Sequence, residues 1–236
     1  LLASSAASDV YKRQIQPSQS DYWQATKALG HGDFQILVFA PSTVQEMVDL
    51  VSDAFDKADE YRMPAMILAD GMLGQMMEPV ELPEHKDRKL PEKPWAACGH
   101  ENKREHNIIN SLYLTPNALE DLVRARYERY KIVEEKEQRA EEYRTEDADV
   151  IVVAYGASSR VARSAVNKAR EAGKKVGLIR PITLWPFPKD AIKRAADHAK
   201  ELLVVEMSMG QMVDDVKLSI DLSLIHISEP TRLRCI

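Results

Sequence analysis

The spacing of apolar positions changes several times along the chain, and each change marks an element. Gln35-Ile36-Leu37-Val38-Phe39-Ala40-Pro41 is a short, nearly continuous apolar run, the pattern of a strand covered on both faces. A helical period follows. Ser42 stands as N-cap with Gln45 three residues on, a capping box, and Val44, Met47, Val48, Val51, Phe55 and Ala58 recur on one face. Pro64 closes this helix, and Ala65-Met66-Ile67-Leu68-Ala69 predicts a second buried strand ending on Asp70-Gly71. Strand, helix and strand in that order imply a parallel sheet with a right-handed crossover.

Residues 78–94 carry Pro79, Pro83, Pro91 and Pro94 among charged residues and predict a surface excursion. Thr115 then caps a long helix that opens on Pro116 and extends to about Tyr143. Its apolar stripe is thin (Leu119, Leu122, Val123, Tyr130, Val133), so the pattern reads as a charged linker between two domains. Beyond it, Val150 to Gly156 predicts a strand, Ser158 to Ala172 a helix stopped by Gly173, and Lys175 to Pro181 a strand. A helix opening at Pro188 and a strand from Leu202 to Met207 complete a βαβαβ order, which predicts a doubly wound sheet.

Both ends fall outside this pattern. Residues 4–14 and 222–232 resemble in-frame translations of the two strands of a sequencing-library adapter, and residues 233–236 read as index or primer sequence. The expectation is a native segment from about Ile15 to about Asp221, cut from a longer protein. The formal charge of −5 becomes about −7 once these tails are set aside, and Cys98 is the remaining native cysteine. A mildly acidic chain without a basic block argues against nucleic acid or anionic membrane as the main partner. No apolar run approaches the ~18 residues of a membrane span, and the cysteine usage fits a reducing, cytoplasmic setting.

Candidate chemistry is sparse. Neither strand-to-helix turn carries a glycine-rich phosphate loop; Tyr155-Gly156-Ala157-Ser158-Ser159 has one glycine where a dinucleotide fingerprint needs three. His85, Cys98, His100 and His106 lack the spacing of a zinc site. Gly30-His31-Gly32-Asp33 permits close approach of backbone to a ligand or another chain, and His31 can carry a proton. Asp70-Gly71 lies at the carboxyl end of a predicted strand, where open α/β sheets place ligands. Two methionine groups (Met72, Met76, Met77; Met207, Met209, Met212) suggest adaptable packing or an interface.

Several runs together resemble a known family. They are Ile15 to Tyr22, Gly30 to Asp33, Ala40 to Leu50 and Ile67 to Gly71, then Val153 to Gly156, Arg180 to Pro188 and Val204 to Met212. The chain resembles the alpha-type subunit of 2-oxoacid:ferredoxin oxidoreductases, with the 2-oxoisovalerate (3-methyl-2-oxobutanoate) type fitting best. The resemblance implies α/β architecture: part of a thiamine-pyrimidine-binding parallel-sheet domain (15–95), a loop and linker helix (96–146), and a doubly wound domain like the C-terminal domain of transketolase (147–221), with tails at 1–14 and 222–236.

The resemblance further implies oxidative decarboxylation of a 2-oxoacid to an acyl-CoA, with ferredoxin reduced. Thiamine diphosphate with magnesium would be shared with a diphosphate-binding partner subunit, and an iron-sulfur cluster carried by another. The fragment alone would bind no cofactor, because the family's pyrimidine-side glutamate lies upstream of Ile15. Gly30, His31, Gly32, Asp33, Asp70 and Gly71 are the residues expected nearest the cofactor crevice, shaping it without acting as acid or base. Ala28-Leu29 stands where such proteins often carry a glycine run. Two rival readings remain: the beta component of a 2-oxoacid dehydrogenase, which would use lipoamide, and a non-catalytic α/β interaction module.

Overall fold

The computed structural model describes residues 17–27, 32–83, 92–220 and 234–235. A short helix α1 (Tyr22–Thr26) leads to strand β1 (Leu37–Phe39), helix α2 (Val44–Tyr61), strand β2 (Ala65–Ile67) and a one-turn helix α3 (Gly71–Gln75). β1 and β2 pair in parallel, as the βαβ pattern requires. Leu37, Val38 and Phe39 are all fully buried, which explains why the run alternates no polar residue: both faces are covered. α2 ends at Arg62 in the left-handed region (φ 49°), two residues ahead of Pro64.

Helix α4 (Pro116–Lys136) is followed by β3 (Ala140–Tyr143), β4 (Val150–Val153), α5 (Gly156–Glu171), β5 (Val176–Pro181), β6 (Thr183–Trp185), α6 (Lys189–Ala196), β7 (Glu201–Val204), α7 (Met212–Ser219) and β8 (Arg234–Cys235). The second sheet has the order β3-β5-β4-β7-β8. Its centre β5-β4-β7 is parallel, with sequence order reversing between β4 and β7, as in doubly wound folds. Gly173, at φ 77°, ends α5 in a Schellman motif: Lys174 N–H donates to Ala169 C=O and Gly173 N–H to Arg170 C=O, both at 2.9 Å.

Two elements tie the sheets together. β6 follows β5 in sequence but pairs antiparallel with β1, giving the first sheet the order β2-β1-β6. One apolar core runs through both sheets, from Tyr22, Val38 and Phe39 to Ile151, Val153 and Ile179. A smaller cluster, Val152, Ala154, Ala162, Val166 and Leu178, fixes α5 on the other face of the second sheet.

Three local expectations change. The long helix stops at Lys136 and not near Tyr143; residues 140–143 pair antiparallel with β5, so tertiary pairing overrides the helical preference of a Glu-rich stretch. The cap of α2 lies one residue later, with Thr43 Oγ1 accepting from Glu46 N–H at 3.1 Å while the Glu46 carboxylate returns to Ser42 N–H at 2.7 Å. The buried face of α2 is Leu50, Ala54 and Tyr61; Val51 and Phe55 point outward, Phe55 at 74% exposure. Apolar residues adjacent in sequence (Leu50 and Val51, Ala54 and Phe55) left two candidate faces, and only packing chooses between them.

Candidate functional site

The carboxyl ends of β4 and β7 flank the point where strand order reverses, the place where a doubly wound sheet leaves a crevice. Here the crevice is filled by Gln19, from the segment ahead of α1. Gln19 N–H donates to Met207 C=O at 2.9 Å and Met207 N–H donates to Gln19 Oε1 at 2.9 Å. Gln19 Nε2 donates to Tyr155 C=O at 2.9 Å, and Ser158 Oγ donates to Gln19 Oε1 at 3.2 Å. Tyr155 Oη closes the set by donating to Gln19 C=O at 3.2 Å. Burial, followed by the carboxylates of Glu206, Asp70 and Asp21, pushes the Tyr155 phenol well up, so it serves as a neutral donor.

Neighbouring groups hold the same segment. The Glu206 carboxylate accepts from the N–H groups of Gln211, Met212 and Val213, which satisfies the amino end of α7. Tyr22 Oη donates to Asp215 Oδ2 at 2.6 Å, and Lys27 pairs with Asp215 Oδ1 at 2.5 Å. Trp23 N–H donates to Gln211 Oε1, and Gln211 Nε2 donates to Ser20 C=O.

Asp70 connects this seam to the first sheet. Its Oδ1 accepts from Leu73 N–H at 3.0 Å, capping α3, and its Oδ2 accepts from Ala157 N–H at 3.2 Å in the first turn of α5. Gly156 makes the approach possible: its φ is 57°, and a Cβ there would lie 3.1 Å from Gln19 Nε2 and 3.6 Å from Asp70 Oδ2. Gly71 is the first residue of α3. Gly32 and Asp33, at φ 84° and 47°, form the turn ahead of β1. They therefore sit toward the amino ends of the parallel strands, away from Asp70-Gly71 at the carboxyl end, and the fold does not gather the two pairs into one cluster. Gly30 and His31 lie outside the described residues, as does His85. The rings of His100 and His106 lie with centroids 4.0 Å apart, and among the described residues no three His, Cys, Asp or Glu side chains converge as metal ligands.

A second polar cluster latches the sheets together. Arg180, on β5, donates from both terminal nitrogens to the two oxygens of Glu46 at 2.9 Å each, and from Nε to Glu141 Oε2 at 2.8 Å. Glu141 also accepts from Arg163, and Arg160 pairs with Glu78 at 2.7 Å. Arg160, Arg163, Arg180, Glu46 and Glu141 line a hollow of about 510 Å³ in which each of these arginines meets a carboxylate. Nearby, the buried Glu137 accepts from Tyr61 Oη at 2.7 Å and pairs with Lys57 at 2.8 Å and with Arg139 at 3.3 Å. Burial opposes the ionised form of Glu137, but the hydrogen bonds from Lys57 and Tyr61 outweigh it and hold the carboxyl below its usual range. Burial, with Glu137 beside it, pushes the Tyr61 phenol up to about 12.

Thiamine diphosphate does not fit among these residues. The hollow in the seam, lined by Gln19, Asp70, Tyr155 and Gly156, holds about 30 Å³, the share of one water molecule. The donors and acceptors of Gln19, and both oxygens of Asp70, are spent within the chain. The seam holds the two sheets in register, and no catalytic step is assigned to it. Gln19, Glu206, Glu46 and Arg180 were not singled out by sequence pattern as site residues, because each acquires its role from partners distant in the chain.

The fold is shared with a solved 2-oxoglutarate:ferredoxin oxidoreductase from Magnetococcus marinus, with 2-oxoglutarate, coenzyme A and succinyl-CoA bound, which superposes at a TM-score of 0.72 over 94% of this chain and 42% of that one, at 21% identity. Residues 11–151 match the family model "Pyruvate flavodoxin/ferredoxin oxidoreductase, thiamine diP-bdg", and the chain belongs to that family. Residues 148–231 match "Pyruvate:ferredoxin oxidoreductase core domain II". The ketoisovalerate oxidoreductase subunit VorB of Methanothermobacter marburgensis is 49% identical over 205 residues, covering 87% of this chain and 58% of that protein. The 2-oxoglutarate synthase subunit KorA of the same organism is 34% identical over 230 residues, covering 85% and 60%. The chain thus spans about three-fifths of these relatives. The family match favours a 2-oxoacid:ferredoxin oxidoreductase subunit over a dehydrogenase beta component or a non-catalytic module. No helix among the described residues is long and apolar enough to cross a membrane.

Proposed function

We propose that this chain is part of the alpha-type subunit of a thiamine-diphosphate-dependent 2-oxoacid:ferredoxin oxidoreductase whose preferred substrate is the branched-chain 3-methyl-2-oxobutanoate. The observation that carries the reading is the step in identity, from 49% with the ketoisovalerate oxidoreductase subunit to 34% with the 2-oxoglutarate synthase subunit. When bound, the cofactor supplies an electron sink for the carbanion left by decarboxylation. The residues of this chain supply a frame. Gln19, Asp70, Arg180 and Glu46 fix the two sheets, and Asp70 and Gly71, beyond the carboxyl end of β2, border the surface presented to the cofactor.

In this reading the diphosphate and its magnesium belong chiefly to a partner subunit, in keeping with the closed seam. An iron-sulfur subunit, ferredoxin and coenzyme A complete the reaction in the cytoplasm. The test is a steady-state assay of the full-length protein assembled with its partner subunits, reading coenzyme-A-dependent ferredoxin reduction. The expected result is kcat/KM at least about tenfold higher for 3-methyl-2-oxobutanoate than for 2-oxoglutarate or pyruvate. A preference for 2-oxoglutarate would overturn the substrate, and NAD-linked acyl transfer to lipoamide would overturn the reaction.

A further inference from the structure

At the amino ends of β1 and β2, away from the seam at Asp70, the chain forms a hollow of about 260 Å³ between the start of β1, the end of α2 and the middle of α4. Its walls include Phe34, Tyr61 and Tyr130, its cations are Arg62, Arg126 and Arg129, and among the described residues no acid lines it. That imbalance is unusual in a chain of net charge −5. Elsewhere arginines close on carboxylates: Arg139 on Asp53, Arg160 on Glu78, Arg170 on Asp147 and Arg180 on Glu46. Among the described residues Arg126 and Arg129 have no carboxylate partner, and the nearby acids Glu60 and Glu137 are already matched by Lys57.

Arg126 Nε is moreover enclosed without any hydrogen-bond partner. A buried donor left unsatisfied is costly, so such an atom beside a hollow points to an acceptor that completes it. Arg62 is held at the rim by its left-handed backbone and by stacking of its guanidinium 4.5 Å over the Trp95 ring.

We propose that this hollow is a binding site for a phosphate monoester. Three arginines lining one cavity, with no acid among its described lining residues, match a compact dianion, whose oxygens accept paired N–H donors; a single carboxylate would leave most of that charge unmatched. The aromatic walls and the volume admit a small organic remainder beyond the phosphate. The proposal stands independently of the reaction proposed above.

Inorganic phosphate, titrated calorimetrically into the purified chain at constant ionic strength, tests it, with acetate as the carboxylate arm. The expected result is saturation below about 1 mM phosphate. Binding should weaken at least about tenfold in Arg126→Gln/Arg129→Gln and in the rim variant Arg62→Gln, and stay unchanged in Arg163→Gln, with circular dichroism melts confirming that each is folded. No saturation by about 10 mM, equal affinity for acetate, or phosphate binding indifferent to both pocket variants would overturn the proposal.

Discussion

Gln19 and Met207 pair like neighbouring strands, each main-chain or side-chain donor at 2.9 Å from its acceptor, although 188 residues separate them. This pairing occupies the reversal point of the second sheet with protein, where related architectures place a ligand. The consequence is that the segment before α1 is a structural part of the second sheet's crevice. Gln19→Leu, which keeps the volume and removes both polar atoms, strips partners from Met207 N–H and Tyr155 C=O. It should cost about 2–3 kcal/mol, read as a lower guanidinium midpoint with an unchanged slope.

Gly156 sits against the same side chain. Gly156→Ala places a Cβ 3.1 Å from Gln19 Nε2 on a backbone at φ 57°. A loss of about 1–2 kcal/mol is expected, and the double variant with Gln19→Ala should recover part of it, since removing the amide relieves the crowding but not the backbone strain. Full additivity in the denaturation cycle would show that the two do not touch.

The bidentate Arg180–Glu46 pair should act as the latch between the sheets. Arg180→Lys keeps the charge but cannot reproduce the fork, and about 1–2 kcal/mol should be lost; Arg180→Ala, which leaves Glu46 without its cation and Glu141 with Arg163 alone, should lose about 3 kcal/mol or more. A Glu46→Gln/Arg180→Ala cycle measures the coupling, and a coupling near zero would remove the latch.

Glu137 gives the fold an acid-sensitive contact. Its carboxyl is held below the usual 4.5, so its stabilisation is fully present above that value and is lost as pH falls through the depressed one. Glu137→Gln should therefore cost about 1–3 kcal/mol at pH 7, and the gap to the parent chain should narrow on acidification below about pH 4. Urea titrations across pH would read this directly, and a gap that widened in acid would reverse the sign of the argument.

The architecture was legible where apolar runs were continuous. Leu37 to Phe39 and Val150 to Val153 could hardly be anything but buried strands, and Gly173 announced the end of α5. It was less legible where chemistry is shared over distance. Ala140-Glu141-Glu142-Tyr143 looks helical by composition, and only pairing with β5 and the reach of Arg180 and Arg163 make it a strand. Thr183 to Trp185 gave no hint that it would leave its own half to join β1. Asp70 was expected at a strand's carboxyl end and lies there, but nothing local shows that its second oxygen caps α5 from the other sheet.

The proposed function puts Asp70 and Gly71 beside a thiamine diphosphate site that this chain does not itself complete. Calorimetric titration of thiamine diphosphate with magnesium, run on this chain alone and on the full-length subunit assembled with its diphosphate-binding partner, tests it most directly. The account predicts no saturable heat with the chain alone up to about 1 mM and micromolar binding by the assembly. Micromolar binding by the chain alone, or none by the assembly, would contradict it.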